Sequence, residues 1–277
     1  MTAGEAGVLY VVSTPIGNLG DITHRALEVL RSVSVILAED TRHSRRLLDH
    51  YEIRAPLGAY HEHNEAKTTP GLVTRLLAGE SIALITDAGT PLLSDPGARL
   101  VAAAADKGIT VVPIPGASAL LAALVASAID ANRFTFFGFL DRKGKGRSAA
   151  IAELLALPHT AVLYEAANRT AATLSDLVAA GMGSRRAAIA RELTKQFEEV
   201  RRGTVAELGR YYEDVPPKGE VVIVVAGAAV STSSEEQLRE RVDALRASGA
   251  SARDIVSTLV DEMGAPRNLA YRLAHES

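Results

Sequence analysis

Three short apolar runs in the first half of the chain each end in a loop of glycine, proline and small polar residues. These loops are Thr14-Pro-Ile-Gly-Asn-Leu-Gly20, Asp87-Ala-Gly-Thr-Pro91 and Pro115-Gly-Ala-Ser118. Glycine lets a backbone approach a ligand closely and adopt positive φ. In open parallel sheets, ligands bind beyond the carboxyl ends of strands, where loop amides and helix N-termini point outward. One such loop is an ordinary connection; three at one sheet edge point to a small-molecule site. No Gly-x-x-x-x-Gly-Lys-Ser/Thr run exists and no Gly-x-Gly-x-x-Gly follows the first strand, so neither a P-loop nor a dinucleotide fingerprint is supported. His43, His61, His63 and Glu65 invite a metal reading. Spacing fixes no complete ligand set, however, and a site needs several ligands in defined geometry. A hydrogen-bonding role fits them better, and no metal is expected.

The elements that must hold these loops follow from apolar periodicity. Residues 8–12, 33–38, 81–86 and 110–114 read as buried strands, separated by amphipathic stretches. Asp21 is placed to cap a helix over 22–31, a second helix runs to about residue 51, and an alanine-rich one to about residue 107. This β-α alternation predicts an α/β protein with a mostly parallel N-terminal sheet covered on both faces. In the second half, 134–139, 160–164, 187–190 and 220–226 read as strands, with helices over 148–155 and 168–180. The expected division is an N-terminal α/β domain over 1–118, a second α/β domain over 119–230 that closes the cleft, and a C-terminal helical appendage over 231–277. Gly249 and Gly264-Ala-Pro266 break that appendage into three short helices without a substantial core.

The whole chain has 277 residues, 47% apolar and 23% charged, which suits a globular enzyme and argues against disorder. It contains no cysteine, so disulfides, thiolate nucleophiles and zinc–thiolate sites are excluded. No apolar run reaches the length of a membrane span, and the first residues lack the features of a signal peptide. A cytoplasmic protein is the simplest expectation. The net charge of −3 argues mildly against a nucleic-acid partner, which would have to be held by local basic patches.

Five longer runs carry more information. They are Ser13-Thr-Pro-Ile-Gly-Asn-Leu-Gly-Asp-Ile22, Ala38-Glu-Asp-Thr-Arg-His43, His61-Glu-His-Asn-Glu65, Asp87-Ala-Gly-Thr-Pro-Leu-Leu-Ser-Asp-Pro-Gly97 and Ala190-Arg-Glu-Leu-Thr-Lys195. Together, in order over residues 8–226, they resemble the ribosomal RNA small subunit methyltransferase I family of the tetrapyrrole methylases. The resemblance implies the two-domain tetrapyrrole-methylase fold and S-adenosylmethionine as cofactor. It also implies 2′-O-methylation of a cytidine of 16S ribosomal RNA near the decoding centre, with the rRNA or small ribosomal subunit as partner and a homodimer as assembly. Two departures are visible: Ala117 stands where relatives commonly have a second proline, and Asp141 follows Phe139-Leu140 where they often have proline.

Matched residue by residue, the resemblance puts Pro15 and Gly17 on the first cofactor loop. Gly89, Thr90 and Pro91 lie against the methionine part, flanked by Asp87 and Asp95. Ser118 and Ala119 come beside the cofactor, and Tyr164, Glu165, Leu193, Gly219 and Glu220 come from the second domain. The implied chemistry is attack of a ribose hydroxyl on a sulfonium methyl. Positioning supplies roughly 7–11 kcal/mol of such a barrier, and a general base adds about 10²–10⁴-fold. The candidates for that base are Asp40, Glu165, Glu192 and Lys195, all near strand ends. Glu192 and Lys195 are three apart and suit either one helical face or a plain salt bridge.

Basic residues cluster locally. Arg142, Lys143, Lys145 and Arg147 form a glycine-bearing loop, Arg42, Arg45 and Arg46 follow the second strand, and Arg185-Arg186 and Arg201-Arg202 add pairs. Such clusters suit phosphate contacts, although charge runs are often simply solvated faces. Two other functions stay open at this point: methylation of a tetrapyrrole or other small metabolite on the same fold, and a non-catalytic ribosome-assembly factor.

Overall fold

The structure is a computed structural model, described over residues 6–228 and 235–276. These form two compact units, one up to Gly227 and one from Ala228 onward. The larger unit holds two five-stranded sheets.

The first sheet takes β1 (Leu9–Val12), β2 (Val35–Ala38), β3 (Leu57–Ala59), β4 (Ile82–Leu84) and β5 (Val111–Ile114). Their spatial order is β3-β2-β4-β1-β5, with every pairing parallel. The period of two expected of a pleated strand sorts the side chains between two cores. Leu9, Val35, Leu37, Ile82 and Leu84 face one core, which α3 (Glu65–Leu77) and α4 (Ala98–Asp106) complete with Leu72, Leu76 and Leu100. Val12, Ile36, Ala38, Ala83 and Ile85 face the other, against Ala26 and Leu30 of α1 (His24–Ser32) and Leu48 of α2 (Thr41–His50). Burial on both faces explains why these strands read as continuous apolar runs.

The first of two corrections to the expected elements concerns Asp21. The cap of α1 is Thr23, whose hydroxyl accepts from the Ala26 amide, while Asp21 lies in a preceding single turn. Four elements also go beyond those read from the sequence. Of these, β3 is three residues long and α3 carries Pro70 inside it, so neither presents a clean period.

α5 (Ala119–Ala126) leads out of β5 toward the second sheet. That sheet comprises β6 (Phe134–Phe139), β7 (Thr160–Ala166), β8 (Arg186–Arg191), β9 (Glu199–Thr204) and β10 (Glu220–Val225), in the order β6-β7-β10-β8-β9. Only β6 and β7 are parallel; the other pairs are antiparallel. α6 (Lys145–Ala156), α7 (Thr170–Leu177) and α8 (Val205–Asp214) cover one face around Leu163, Leu174, Ile189, Leu208 and Ile223. Opposite, α5 packs Leu120, Ala123 and Leu124 on Val162, Ala188, Val222 and Val224, and Ile16 from the loop after β1 joins that cluster.

The second correction concerns the C-terminal unit, which does have a core. α9 (Glu235–Ala247), α10 (Ala252–Asp261) and α11 (Arg267–His275) bury Leu238, Val242, Ile255, Leu259, Ala270 and Leu273 together. The small helices conceal this in sequence because each contributes only two or three apolar residues. Leu259 is fully buried, so Leu259→Ala should destabilise this unit by about 2–5 kcal/mol. Amide hydrogen exchange checks this: protection should fall in α9 to α11 and persist in both sheets.

Candidate active site

The connections leaving β2 and β4 diverge. β2 runs on to β3 at the sheet edge, and β4 crosses to β5 at the other edge. Divergence of this kind opens a crevice beyond the carboxyl ends of the strands. A cleft of about 530 Å³ lies there, within the size range of small-molecule sites. Glu39 beyond β2, Asp87 to Gly89 beyond β4, and Ala119 at the start of α5 form one wall. Phe139, Tyr164 and the segment from Gly219 to Val222, all from the second sheet, form the other.

The loops are held by backbone bonds. Thr14 and Gly89 exchange two, N–H to O at 2.8 and 3.1 Å, and the Thr14 hydroxyl donates to the Thr86 carbonyl at 3.0 Å. The hydroxyls of Ser13 and Thr90 lie 3.0 Å apart, and Thr90 also donates to the Ala117 carbonyl. The Asp87 carboxylate accepts from the Asp40 amide at 3.2 Å, tying the ends of β2 and β4. In the 87–97 loop Leu92 and Ser94 have φ of 74° and 73°, in the left-handed region that ordinary residues avoid. Glu192 and Thr194, across the cleft, do likewise at 50° and 66°. Each such residue costs on the order of 1–3 kcal/mol, and such outliers concentrate at functional sites.

The expected cofactor residues fall into two groups. Asp87, Gly89, Asp95, Ala119, Tyr164 and Gly219 line the cleft itself. Pro15, Gly17, Thr90, Pro91, Ser118 and Leu193 are not part of its lining. Ser118 caps α5, Leu193 is buried in the cluster under the cleft, and a Cβ on Gly17 would lie 2.4 Å from the Lys195 stem. Gly219 is constrained twice: its φ is 82°, and a Cβ there would lie 2.0 Å from the Glu192 carboxylate.

The candidate bases are mostly engaged elsewhere. The Asp40 carboxylate caps α2, accepting from the amides of Arg42 and His43, and its bonds to Arg42 first of all hold its pKa below the ordinary carboxylate value. Glu165 is 2% exposed and takes the Ala166 amide, the Thr173 hydroxyl and the Arg169 guanidinium. Glu192 and Lys195 lie in a turn and not on a helix. Lys195 Nζ stands 2.9 Å from Glu192 and 3.1 Å from Glu220. The hydrogen bond from Lys195 holds Glu192 down, against a smaller effect of burial. For Lys195 burial is the largest single influence, yet its bonds to the two glutamates outweigh it and raise the ammonium's pKa.

Glu39 lies in the Ala38–His43 run but is not among the candidate bases read from sequence, because only the groups brought around it in space set it apart. It is half-buried on the cleft wall, and burial, followed by the carboxylates of Asp95, Asp87, Asp40 and Glu62, pushes it above its usual range. Burial and the charge of Asp87 push Asp95 up in the same way, and burial raises the Tyr164 phenol. Among the described residues lining the cleft there are Glu39, Asp87, Asp95, Glu165 and Glu220, but no lysine, arginine or histidine.

The basic residues divide similarly. Arg42, Arg45, Arg46, Arg142, Lys143 and Lys145 are exposed. Arg147 is not free, because it pairs with Asp176 at 2.6 Å and also donates to the Thr173 hydroxyl and the Asp141 carbonyl. Lys145 and Arg147 belong to α6, so the basic loop is shorter than expected. Arg185, Arg186 and Arg202 spend their guanidinium groups on backbone carbonyls, and Arg201 pairs with Glu199. Among the described residues no group of histidine and acidic side chains has the arrangement of a metal site.

The family profile described as Tetrapyrrole (Corrin/Porphyrin) Methylases matches residues 8–209. Among curated proteins, the "Ribosomal RNA small subunit methyltransferase I" of Synechocystis sp. is 45% identical over 98% of both chains. That of Mesorhizobium japonicum is 47% identical over 95% of this chain and 90% of its own. Among solved structures, a diphthine synthase superposes with a TM-score of 0.60 at 15% identity, covering 96% of this chain and 99% of its own. The Thermus thermophilus uroporphyrin-III C-methyltransferase complexed with S-adenyl homocysteine gives 0.57 at 17%, covering 79% and 97%. The parallel sheet with its diverging loops, the cleft and these likenesses place the chain in the tetrapyrrole methylase family, among the ribosomal RNA small subunit methyltransferase I proteins.

Proposed function

We propose that the chain is an S-adenosylmethionine-dependent methyltransferase acting on small-subunit ribosomal RNA, and that its target is the 2′-oxygen of a cytidine near the decoding centre. The observation that carries the cofactor assignment is the cleft's charge: carboxylates without a basic side chain in the lining. Such walls repel phosphate-bearing nucleotides and favour a ligand with a sulfonium and an ammonium. Phe139 and Tyr164, ring centroids 5.6 Å apart, add an aromatic wall suited to an adenine or to a cation over a ring face. Gly89 and Gly219 allow the walls to close on themselves, since a Cβ would press on Ile16 at the first and on the Glu192 carboxylate at the second.

In this reading Asp87, Gly89, Asp95, Ala119, Tyr164 and Gly219 hold the methyl donor, and Pro15, Gly17, Thr90, Pro91, Ser118 and Leu193 hold the loops that hold it. When bound, S-adenosylmethionine supplies an activated methyl group on sulfur. The chain's own task is then positioning, and rigid loops perform it. The RNA reading rests on the names of full-length relatives and on two exposed basic segments beside the cleft. Arg42, Arg45 and Arg46 follow directly from Glu39, and Arg142, Lys143 and Lys145 follow from Phe139. Phosphates would meet these margins while the reacting sugar enters the acidic interior. A homodimer, as the resemblance implies, would have Leu121 and Val125 of α5 to cover, 52% and 80% exposed.

Two outcomes are expected. Calorimetry should detect S-adenosylmethionine binding, and Gly219→Ala should weaken it at least tenfold by driving a methyl group into Glu192, a loss of about 1.4 kcal/mol or more. Replacing Arg142, Lys143 and Lys145 with alanine should lower methylation of small ribosomal subunits most at low salt, with a shallower salt dependence than wild type and donor affinity intact. Nucleoside mass spectrometry of the treated rRNA reads the product. A methyl group on a base, or none, would overturn the ribose assignment.

A further inference from the structure

Asp40, Glu165, Glu192 and Lys195 were the candidates for the proton acceptor, yet Glu165 is buried under three donors, Asp40 caps a helix, and Lys195 is an ammonium that holds Glu192 together with Glu220. A fifth is different. No hydrogen bond or ion pair among the described residues engages the Glu39 carboxylate. It also occupies a junction. The 530 Å³ cleft adjoins a second pocket of about 340 Å³, and Glu39, Ser94 and Asp95 line both. A donor held against Gly89, Tyr164 and Gly219 would fill the first space, and an acceptor arriving through the second would meet it where Glu39 stands.

We infer that Glu39 is the general base that receives the proton of the acceptor hydroxyl. The inference rests on the methyl-transfer reading above and deepens it. The hydroxyl's O–H bond breaks and its proton passes to a Glu39 carboxylate oxygen as the hydroxyl oxygen bonds to the methyl carbon. The carbon–sulfur bond breaks with its electron pair left on sulfur, and Glu39 then returns the proton to water through the open second pocket. Glu39 is suited to this in two ways. It has no internal cation to neutralise it, and the groups facing it are all acidic: Asp40 beside it, Glu62 ahead of α3, and Asp87 and Asp95 on the loop after β4. Crowding and burial raise its proton affinity, which makes it a stronger base near neutral pH than an ordinary carboxylate.

The sign of the pH dependence follows. The carboxylate form is active, so kcat/KM falls as pH drops through the Glu39 pKa, and that fall is centred above the ordinary 4.5. The test uses the full-length protein, S-adenosylmethionine and small ribosomal subunits lacking the modification. In the ligand-free protein, a carboxyl ¹³C titration locates the Glu39 resonance, identified by its loss in Glu39→Gln. The resonance and the acid limb of kcat/KM should share one pKa. Glu39→Gln should lower the rate at saturating donor roughly 10²–10⁴-fold and abolish the limb. Glu39→Asp, which keeps a carboxylate, should retain the limb at reduced rate and guards against a misfolded glutamine variant.

Wild-type rate in Glu39→Gln, or an acid limb that does not follow the Glu39 resonance, overturns the role of Glu39 alone. Absence of transfer to a ribose oxygen by the wild-type protein overturns the methyl-transfer reading beneath it.

Discussion

The reciprocal pair of backbone hydrogen bonds between Thr14 and Gly89 is the constraint on which the site depends. It joins the loops that leave β1 and β4, adjacent strands of the parallel sheet, just beyond the point where their regular pairing ends. Each bond contributes about 0.5–1.5 kcal/mol net, but their position matters more than their sum. Once the two loops are fixed to each other, Thr90 reaches Ser13 and the Ala117 carbonyl, which brings in the loop after β5. Asp87 reaches the Asp40 amide, which brings in the end of β2. Four strand ends thereby become one rigid cleft wall.

The opposite wall is fixed by apolar packing. Ile16 leaves the loop after β1 and buries itself with Leu120 and Leu124 of α5, Leu193, and Val162, Val222 and Val224 of the second sheet. Full burial of such side chains is worth roughly 1.5–3 kcal/mol each. That is enough to hold left-handed residues such as Ser94 and Glu192 in conformations they would not adopt alone. The strained turns sit at the cleft rim and the packing that sustains them lies beneath. Lys195 completes the arrangement, its stem lying over Gly17 and its ammonium between Glu192 and Glu220.

Charge is segregated over the same short distance. The net charge of −3 conceals an acidic interior and basic margins. Carboxylates buried and crowded without cations hold protons more tightly and attract positively charged ligands, as the raised pKa values of Glu39 and Asp95 illustrate. Arginines that pattern alone would assign to a partner are consumed internally: Arg147 by Asp176 and Thr173, Arg185 and Arg202 by carbonyl groups. The exposed remainder, on α2 and before α6, flanks the cleft.

Composition and periodicity by themselves determined the α/β class, the β1, β2, β4 and β5 strands, and the placement of glycine loops at one sheet edge. These are local properties, carried by alternation, by turn chemistry and by runs of one residue type within a few positions. The motif runs likewise sufficed for the family. Short β3, proline-bearing α3 and the shared core of the last three helices escaped, because their stability comes from neighbours and not from their own pattern. Only the tertiary structure decided which charged groups are free. Glu165 is silenced by Thr173 and Arg169, Asp40 by the helix it caps, and Arg147 by Asp176, while Glu39 is brought to the cleft by the divergence of the connections that leave β2 and β4. The physical reason is that a side chain's proton affinity and reach depend on which groups surround it in space, and these come from segments far apart in the chain.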